Sequence, residues 1–175
     1  LTLLEKHRGQ LPDDVFNKVY APPTNNGSGK MRKNLRVAFK LLKSAGWVVD
    51  TKTKKLTNLN TGVIMRFEVL LVSPLFERVV LPFAKNLKRL GVDARARTVD
   101  TAQYQERLNN YDYDMIVGSW GQSLSPGNEQ RNYWGSAAVD RPGSRNYSGV
   151  TNPVIDDLIE QIVAAPDRAS LVVRV

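Results

Sequence analysis

The stretch from residue 67 to residue 119 alternates between strand-like and helix-like segments, and this alternation constrains the fold more than any other feature of the sequence. Phe67 to Val72 is an almost continuous apolar run, as expected for a strand that is covered on both faces. Ser73 and Pro74 then offer an N-cap and a first-turn proline for an amphipathic helix that ends at Gly91. A strand followed directly by a helix predicts the first half of a βαβ unit.

The same pattern continues along the chain. Val92 to Val99 alternates as a second strand, Asp100 can cap a short helix, and Asp114 to Ser119 predicts a third strand. Short right-handed crossovers make these strands parallel. With the first strand in the middle, the order is 2-1-3 in an α/β sheet flanked by helices. Ligands bind such sheets where strand ends flank a switch in order, which points to Ser73 to Glu77 and to the loop that starts at Ser119.

The flanking segments set the predicted domain borders. Residues 1–30 show little periodicity and predict an irregular lead-in, and residues 31–175 predict a single α/β lobe. Within the lobe, Met31 to Ala45 predicts a helix that Gly46 stops, and Asn152 caps a last amphipathic helix. The sequence opens without Met and closes in what looks like a helix, so we expect a fragment of a longer chain, incomplete at the C-terminus.

The charge balance of the chain suggests nucleic acid, anionic lipid or an acidic ligand as possible partners. The chain has 25 Lys and Arg against 17 Asp and Glu, a formal charge of +8. The basic runs at 30–36, 52–55 and 85–89 lie on separate predicted elements, away from the aromatic residues, so we interpret them as solvated surface and do not predict nucleic-acid binding. The absence of cysteine excludes disulfides and thiolate metal sites. No window has the apolar length of a membrane span.

Motifs for catalysis or cofactor binding are missing. His7 is the only histidine and lies in the lead-in, so a Ser-His-Asp triad or a His-based metal site is not expected. A phosphate-binding loop around residues 25–31 would need Gly at position 24 and Ser or Thr at position 31, where the chain has Thr24 and Met31, and no G-x-S-x-G motif occurs. We therefore predict no catalytic residue, no metal and no cofactor.

The segment after the third predicted strand holds the candidate ligand contacts. Residues 121–149 are polar and have little hydrophobic period, and loops of this length in compact domains are usually functional or disordered. Aromatic residues in and beside this segment argue against disorder: Trp120, Tyr133, Trp134 and Tyr147. Trp120 stands where a ligand would arrive, and it can equally be a packing residue that covers the end of the sheet.

Four segments in order resemble one family. They are NLRVAFKLLKSAGW (34–47), the block from FEVLLV to YQERL (67–108), YDYDMIVGSWGQSLSPG (111–127) and GSRNYSGVTNPVIDDLIEQI (143–162). Together they are similar to the peptide-binding proteins of bacterial ABC importers, extracellular solute-binding protein family 5, and most similar to the subgroup associated with uptake of peptide antibiotics. The resemblance covers nearly the whole sequence.

The resemblance implies a fold, a function and partners. The chain would be most of the second lobe of a two-lobed receptor of the type II periplasmic-binding-protein fold. Such a receptor is not an enzyme; it captures peptides or modified peptides in the periplasm and delivers them to an ABC permease in the inner membrane. The implied partners are that permease and the N-terminal lobe of the same chain, with no nucleic acid, and the receptor would be monomeric.

The resemblance also implies site residues. In the family, the main chain of the loop after the Gly-x-Trp strand pairs with an extended peptide, and wet pockets accept varied side chains. Carried over by position, the contacts fall on Ser119, Trp120, Gly121, Gln122, Ser123 and Asn146. Many members have an aspartate for the peptide's amino group two or three residues after the Trp. Gln122 and Ser123 occupy those positions here, so we expect blocked or modified N-termini to be tolerated.

A second class of function stays open on the residues alone. An enzyme or a ligand-sensing regulatory domain can use the same sheet, with catalytic residues supplied by another part of the chain. A secretory or lipoprotein signal in the complete protein would favour the receptor, and a His-containing catalytic motif would favour the enzyme.

Overall fold

The computed structural model describes residues 3–24 and 26–175. These residues form two compact units. The helical unit contains the described residues up to Tyr20, Leu108–Tyr111 and Gly118–Val175, and the sheet unit contains the rest. The borders differ from the predicted division at residue 30, because packing groups segments that are far apart in the sequence. Whether the complete protein joins them into a single lobe stays a prediction.

Helices and strands occupy most of the chain between residues 14 and 174. In chain order they are α1 (Asp14–Asn17), α2 (Arg32–Ser44), β1 (Trp47–Val49), β2 (Leu56–Asn58), β3 (Arg66–Leu71), α3 (Glu77–Lys88), β4 (Asp93–Thr98), α4 (Thr101–Asn109), β5 (Met115–Ile116), α5 (Glu129–Trp134), α6 (Pro153–Val163) and α7 (Arg168–Arg174). Among the described residues, 3-10 helices span Glu5–Gln10, Pro74–Phe76 and Ser136–Ala138. The lead-in is thus less irregular than predicted, since it contains a 3-10 helix and α1.

The main sheet of the sheet unit has the order β4-β3-β5, and both pairings are parallel. This confirms the predicted order 2-1-3. The central strand β3 is the apolar one, and its last three residues, Val69, Leu70 and Leu71, are buried. The edge strand β5 is shorter than the predicted strand from Asp114 to Ser119. Asp114, the first residue of the predicted strand, lies outside β5. Its side-chain carboxylate accepts a hydrogen bond from the Glu68 main-chain N–H at 2.9 Å.

Two apolar clusters hold the sheet unit together. Leu56, Leu90 and Val92 form one cluster, on which one face of α2 packs. Val69, Leu71 and Val80 form the other, between β3 and α3. Full burial of one such side chain contributes about 1.5–3 kcal/mol. The packing of α2 and α3 in the sheet unit thus depends mainly on these few side chains.

One buried carboxylate joins three cations at the start of β4. Asp93 accepts hydrogen bonds from Arg95 and Arg66 at 3.0 Å, and Lys55 lies 3.2 Å away. Hydrogen bonds from Arg95, and then from Lys55 and Arg66, hold the pKa of Asp93 well below its usual range. Asp93 is therefore ionised at neutral pH and compensates the cations around it.

Local signals in the sequence fix several element ends. The Ser73 hydroxyl accepts from the Leu75 N–H at 3.2 Å, the Asp100 carboxylate from the Gln103 N–H at 2.9 Å, and the Asn152 amide from the Val154 N–H at 2.9 Å. Gly46 ends α2 with a φ of 82°. These are the caps and the stop that the sequence predicts.

Gly91 and Gly46 provide a matched pair for testing the fold. Both have a positive φ, 84° and 82°, but a Cβ at Gly91 would lie 2.8 Å from the Leu56 main-chain nitrogen, whereas nothing lies within 4 Å of one at Gly46. Gly46→Ala should cost only the left-handed backbone, about 1 kcal/mol. Gly91→Ala must also push β2 away, and we expect it to lower the free energy of unfolding by about 3 kcal/mol. Urea denaturation of both variants measures this difference, and equal losses would contradict it.

Candidate functional site

The segment Ser119–Ser123, which we call the candidate loop, follows β5 along the chain and lies in the helical unit. The residues Ser119, Gly121, Gln122 and Ser123 are exposed, and Trp120 is half-buried. Five of the six predicted contacts are consecutive in this segment, whose polar side chains are open to solvent.

Trp120 is anchored behind the candidate loop. Its indole Nε1 donates to the Arg145 carbonyl at 2.9 Å, and its ring centroid lies 5.0 Å from that of Trp134 and 5.7 Å from that of Tyr147. The indole also lies against Gly118, where an added Cβ would be 3.1 Å from its Cη2 atom. Trp120 is therefore a packing residue in this structure, which is one of the two roles that the sequence suggested for it. Its contact with a ligand stays a prediction.

The main chain of the candidate loop is held on one side only. The Ser119 carbonyl accepts from the Arg145 guanidinium at 3.0 Å, and the Gly121 carbonyl accepts from the Tyr133 hydroxyl at 3.2 Å. Within residues 3–24 and 26–175, the carbonyls of Trp120 and Gln122 and all five main-chain N–H groups of the loop have no hydrogen-bond partner. Alternation of held and free carbonyls is what an extended segment produces. The loop can therefore pair with another extended chain along its free side.

A polar network orients Gln122. The buried Gln130 side chain donates to Gln122 Oε1 at 2.8 Å and to the Glu129 carboxylate at 3.2 Å. Glu129 also accepts from the Gly127 N–H at 2.8 Å, and this hydrogen bond is the main reason that the pKa of Glu129 is lowered. The carboxylate in this network is therefore ionised and already bonded, and the loop itself carries only neutral side chains.

A cavity of about 530 Å³ adjoins the candidate loop within the helical unit. Gln122 and Ser123 line it together with apolar side chains from α6 and α7, among them Ile162 and Leu171. The residue after the loop, Leu124, is tied to α7, because the Arg168 guanidinium donates to the Leu124 carbonyl at 2.8 Å. The cavity combines polar and apolar walls, and it can accept a ligand side chain beside the free main chain.

Asn146, the sixth predicted contact, lies elsewhere and is completely buried. Its side-chain amide donates to the carbonyls of Gly135 and Val150 at 3.1 and 2.9 Å and accepts from the Val150 N–H at 2.9 Å. In contrast to the sequence-based prediction, this side chain offers no group to a ligand in this conformation, since three main-chain partners use its amide. Its role is to hold the segment that carries Arg145 and Tyr147.

The supporting residues Arg145, Tyr133 and Gln130 were not predicted as site residues. Their partners lie 8 to 26 residues away within a long loop, and such separations leave no periodic signal in the sequence. Arg131, on α5, pairs with Glu160 through two hydrogen bonds of 2.7 and 2.5 Å and takes no part in holding the loop.

Metal ligands do not come together in the described residues, where no group of three or more His, Asp or Glu side chains is placed to bind an ion. The single histidine, His7, contacts the Asp157 carboxylate at 2.9 Å, and Lys6 contacts the same carboxylate at 2.7 Å. Of the helices in residues 3–24 and 26–175, none has the length and apolarity needed to cross a bilayer.

Comparison with known proteins adds a family and relatives. The family model of the bacterial extracellular solute-binding proteins, family 5 Middle, matches residues 7–141. The chain is 48% identical over 169 residues to the uncharacterized protein y4wM of Sinorhizobium fredii, covering 97% of this chain and 25% of that protein. It is 40% identical over 168 residues to the probable peptide-binding protein YejA of Agrobacterium fabrum, covering 96% and 27%. The chain thus spans about a quarter of the length of these relatives.

Comparison with solved structures supports the fold. The oligopeptide-binding protein AppA from Bacillus subtilis, solved with a nonapeptide, superposes with a TM-score of 0.68 at 20% identity, covering 91% of this chain and 30% of that chain. The fold is therefore that of periplasmic binding proteins, and the predicted fold class is confirmed.

The role of Asn146 can be tested by its removal. Asn146→Ala leaves the buried Gly135 carbonyl and the half-buried N–H and carbonyl of Val150 without partners, so we expect the free energy of unfolding to fall by about 2–3 kcal/mol. The control is Asn17→Ala, since the Asn17 side chain is exposed, and it should change stability by less than about 0.5 kcal/mol. Denaturation curves that shift equally for the two variants would show that the Asn146 network is not structural.

Proposed function

Since the chain belongs to family 5 of the bacterial extracellular solute-binding proteins, we propose that the complete protein is a peptide-binding receptor of an ABC importer. In this proposal the chain supplies one side of the ligand site. The candidate loop pairs with the main chain of an extended peptide, and the adjoining cavity takes one of its side chains. The relative YejA carries the name probable peptide-binding protein, and AppA was solved with a nonapeptide, which supports peptides as the ligand class.

The free main chain of the candidate loop is the observation that carries this proposal. Anchors from Arg145, Tyr133 and Trp120 hold the loop from behind, and its other side keeps unpaired donors and acceptors. Pairing through main-chain groups gives affinity for any extended peptide without requiring one sequence. Ordering the loop before the ligand arrives also reduces the entropy that binding must overcome.

The remaining parts of the proposal follow from family membership. The family is named for extracellular solute-binding proteins, and we place this receptor in the periplasm, where it delivers its ligand to an inner-membrane permease. A second lobe of the complete protein would cover the opposite side of the peptide and exclude water. The proposed role is binding without catalysis.

Two substitutions at Gln122, whose carbonyl lies on the free side of the loop, test the pairing of the main chain. Gln122→Ala keeps the N–H and shortens only the side chain, so peptide affinity should stay within about threefold. Gln122→Pro also removes the N–H and adds a ring at the proposed contact, so the dissociation constant should rise about tenfold or more. Calorimetry on the complete protein, with peptides of three to nine residues, measures both. Unchanged affinity in the Pro variant would rule out this contact, and absence of peptide binding by the wild type would rule out the function.

Recognition of the peptide's N-terminus gives a further prediction. The candidate loop has no carboxylate, and Glu129 is already bonded to the Gly127 N–H, so a free peptide and its N-formylated form should bind within about threefold of each other. Gln122→Asp places a carboxylate on the loop, and we expect it to favour the free amine by about fivefold or more. Calorimetric titration of both peptides into both proteins supplies the comparison. A strong preference of the wild type for the free amine would disprove the proposed tolerance.

A further inference from the structure

The charge of the chain is concentrated in one unit. The sheet unit contains 17 of the 25 Lys and Arg residues but only 8 of the 17 Asp and Glu residues, whereas the helical unit has 8 and 9. The formal charge of +8 is therefore a property of the sheet unit, and the helical unit, which carries the candidate loop, is close to neutral. A charge excess of this kind favours an anionic partner for the sheet unit.

Within the sheet unit the excess lies mainly on α2. Arg32, Arg36, Lys40 and Lys43 follow one another at intervals of three or four residues, which places them along one stripe of the helix, and Lys33 borders it. All five, which we call the cationic face of α2, are exposed. The opposite face packs on the Leu56 cluster through Leu35, Ala38 and Leu42. The packing thus fixes the cationic face toward the outside of the sheet unit.

These cations are not compensated. Elsewhere in the unit, Asp93 holds Arg66 and Arg95, and Glu68 holds Arg107. In the part of the chain that the structure describes, no residue of the cationic face forms an ion pair, and the first turn of α2 has no acidic residue. Like charges one turn apart repel, and cations at a helix N-terminus oppose its dipole. The arrangement weakens α2 on its own and is relieved by an external anionic surface.

Two further features indicate the kind of surface. A concavity of about 660 Å³ lies at the start of α2. Its lining includes four cations, Lys30, Arg32, Lys33 and Arg36, and the other residues that line it are neutral. Beside the stripe, Val37 and Leu41 lie one turn apart and are 52% and 64% exposed. A helix with cations on one face and adjoining exposed apolar side chains is typical of helices that bind the interface of a lipid bilayer.

We propose that the cationic face of α2 binds membrane surfaces rich in anionic phospholipid. The long Lys and Arg side chains reach the phosphate groups, the concavity at Lys30 and Arg32 receives a headgroup, and Val37 and Leu41 contact the interface. Such an interaction brings the protein to the membrane by a surface that does not involve the candidate loop. Because it depends on exposed charges, it weakens as salt shortens the Debye length.

Sedimentation of the complete protein with lipid vesicles tests the proposal. We expect binding to vesicles that contain phosphatidylglycerol and little binding to phosphatidylcholine alone, with loss of binding between about 0.1 M and about 0.5 M salt. The triple variant Arg32→Gln, Arg36→Gln, Lys40→Gln should lower the partition coefficient about tenfold or more. A matched control removes the same charge from exposed positions elsewhere in the sheet unit, through Arg78→Gln, Lys85→Gln and Arg97→Gln. This control should change the partition coefficient less than about twofold.

Two readouts show that the triple variant remains folded and that the two functions are separate. Its melting temperature should be equal to that of the wild type or higher, since repulsion on α2 is removed. Its peptide affinity should be unchanged, so a failure of this proposal leaves the receptor function untouched.

The remaining outcomes overturn the proposal. Equal loss of vesicle binding in the two triple variants would show that binding depends on the net charge of the protein and not on the cationic face of α2. Full binding by the α2 variant, or no binding of the wild type to anionic vesicles, would exclude this face or this partner. Release of the protein by inorganic phosphate, but not by chloride at the same ionic strength, would identify a site for a small anion in the concavity instead of a membrane-binding surface.

Discussion

The pairing of β3 with a parallel neighbour on each side is the constraint on which the rest of the sheet unit depends. A strand in that position has no solvated edge, and its buried residues Val69, Leu70 and Leu71 meet this requirement. The pairing with β4 extends over six residues, but the pairing with β5 covers only two. The chain therefore leaves the ladder at Ile116, three residues before Ser119. Main-chain groups of the candidate loop that a longer strand would have used remain unpaired.

The candidate loop obtains its order from hydrogen bonds and aromatic contacts more than from apolar burial. Trp120 is fixed by the Arg145 carbonyl, the Arg145 guanidinium returns to the Ser119 carbonyl, and Asn146 holds the adjoining segment from inside. Each of these hydrogen bonds is accepted by a main-chain carbonyl. The conformation of the loop is therefore fixed while the main-chain N–H groups on its solvent side stay free. A receptor for varied peptides needs this combination, because a rigid main-chain partner with few specific side chains accepts many sequences.

The sequence predicted best what is decided locally. Caps at Ser73, Asp100 and Asn152 act within three residues, and the apolar run of β3 alone identifies the central strand, so element order and strand order followed from the sequence. The surroundings of the loop are decided by partners far apart in the chain. Arg145 lies 26 residues from Ser119, and nothing in a single sequence distinguishes it from a surface arginine. The burial of Asn146 escapes sequence reasoning for the same reason, since it results from the folding of the segments around Gly135 and Val150.

The basic runs show a different limit of sequence reasoning. Read one at a time, they are ordinary solvated charges, and only the division of the chain into units reveals that acids and bases are distributed unequally. The helix α2 can carry unfavourable charge because its other face is anchored on Leu56, Leu90 and Val92, whose burial provides several kcal/mol. Repulsion between exposed cations one turn apart costs about 0.2–0.5 kcal/mol per pair, well below that gain. The fold thus has enough stability to keep a surface charge pattern that folding itself does not require, and such a pattern is best explained by an interaction outside the unit.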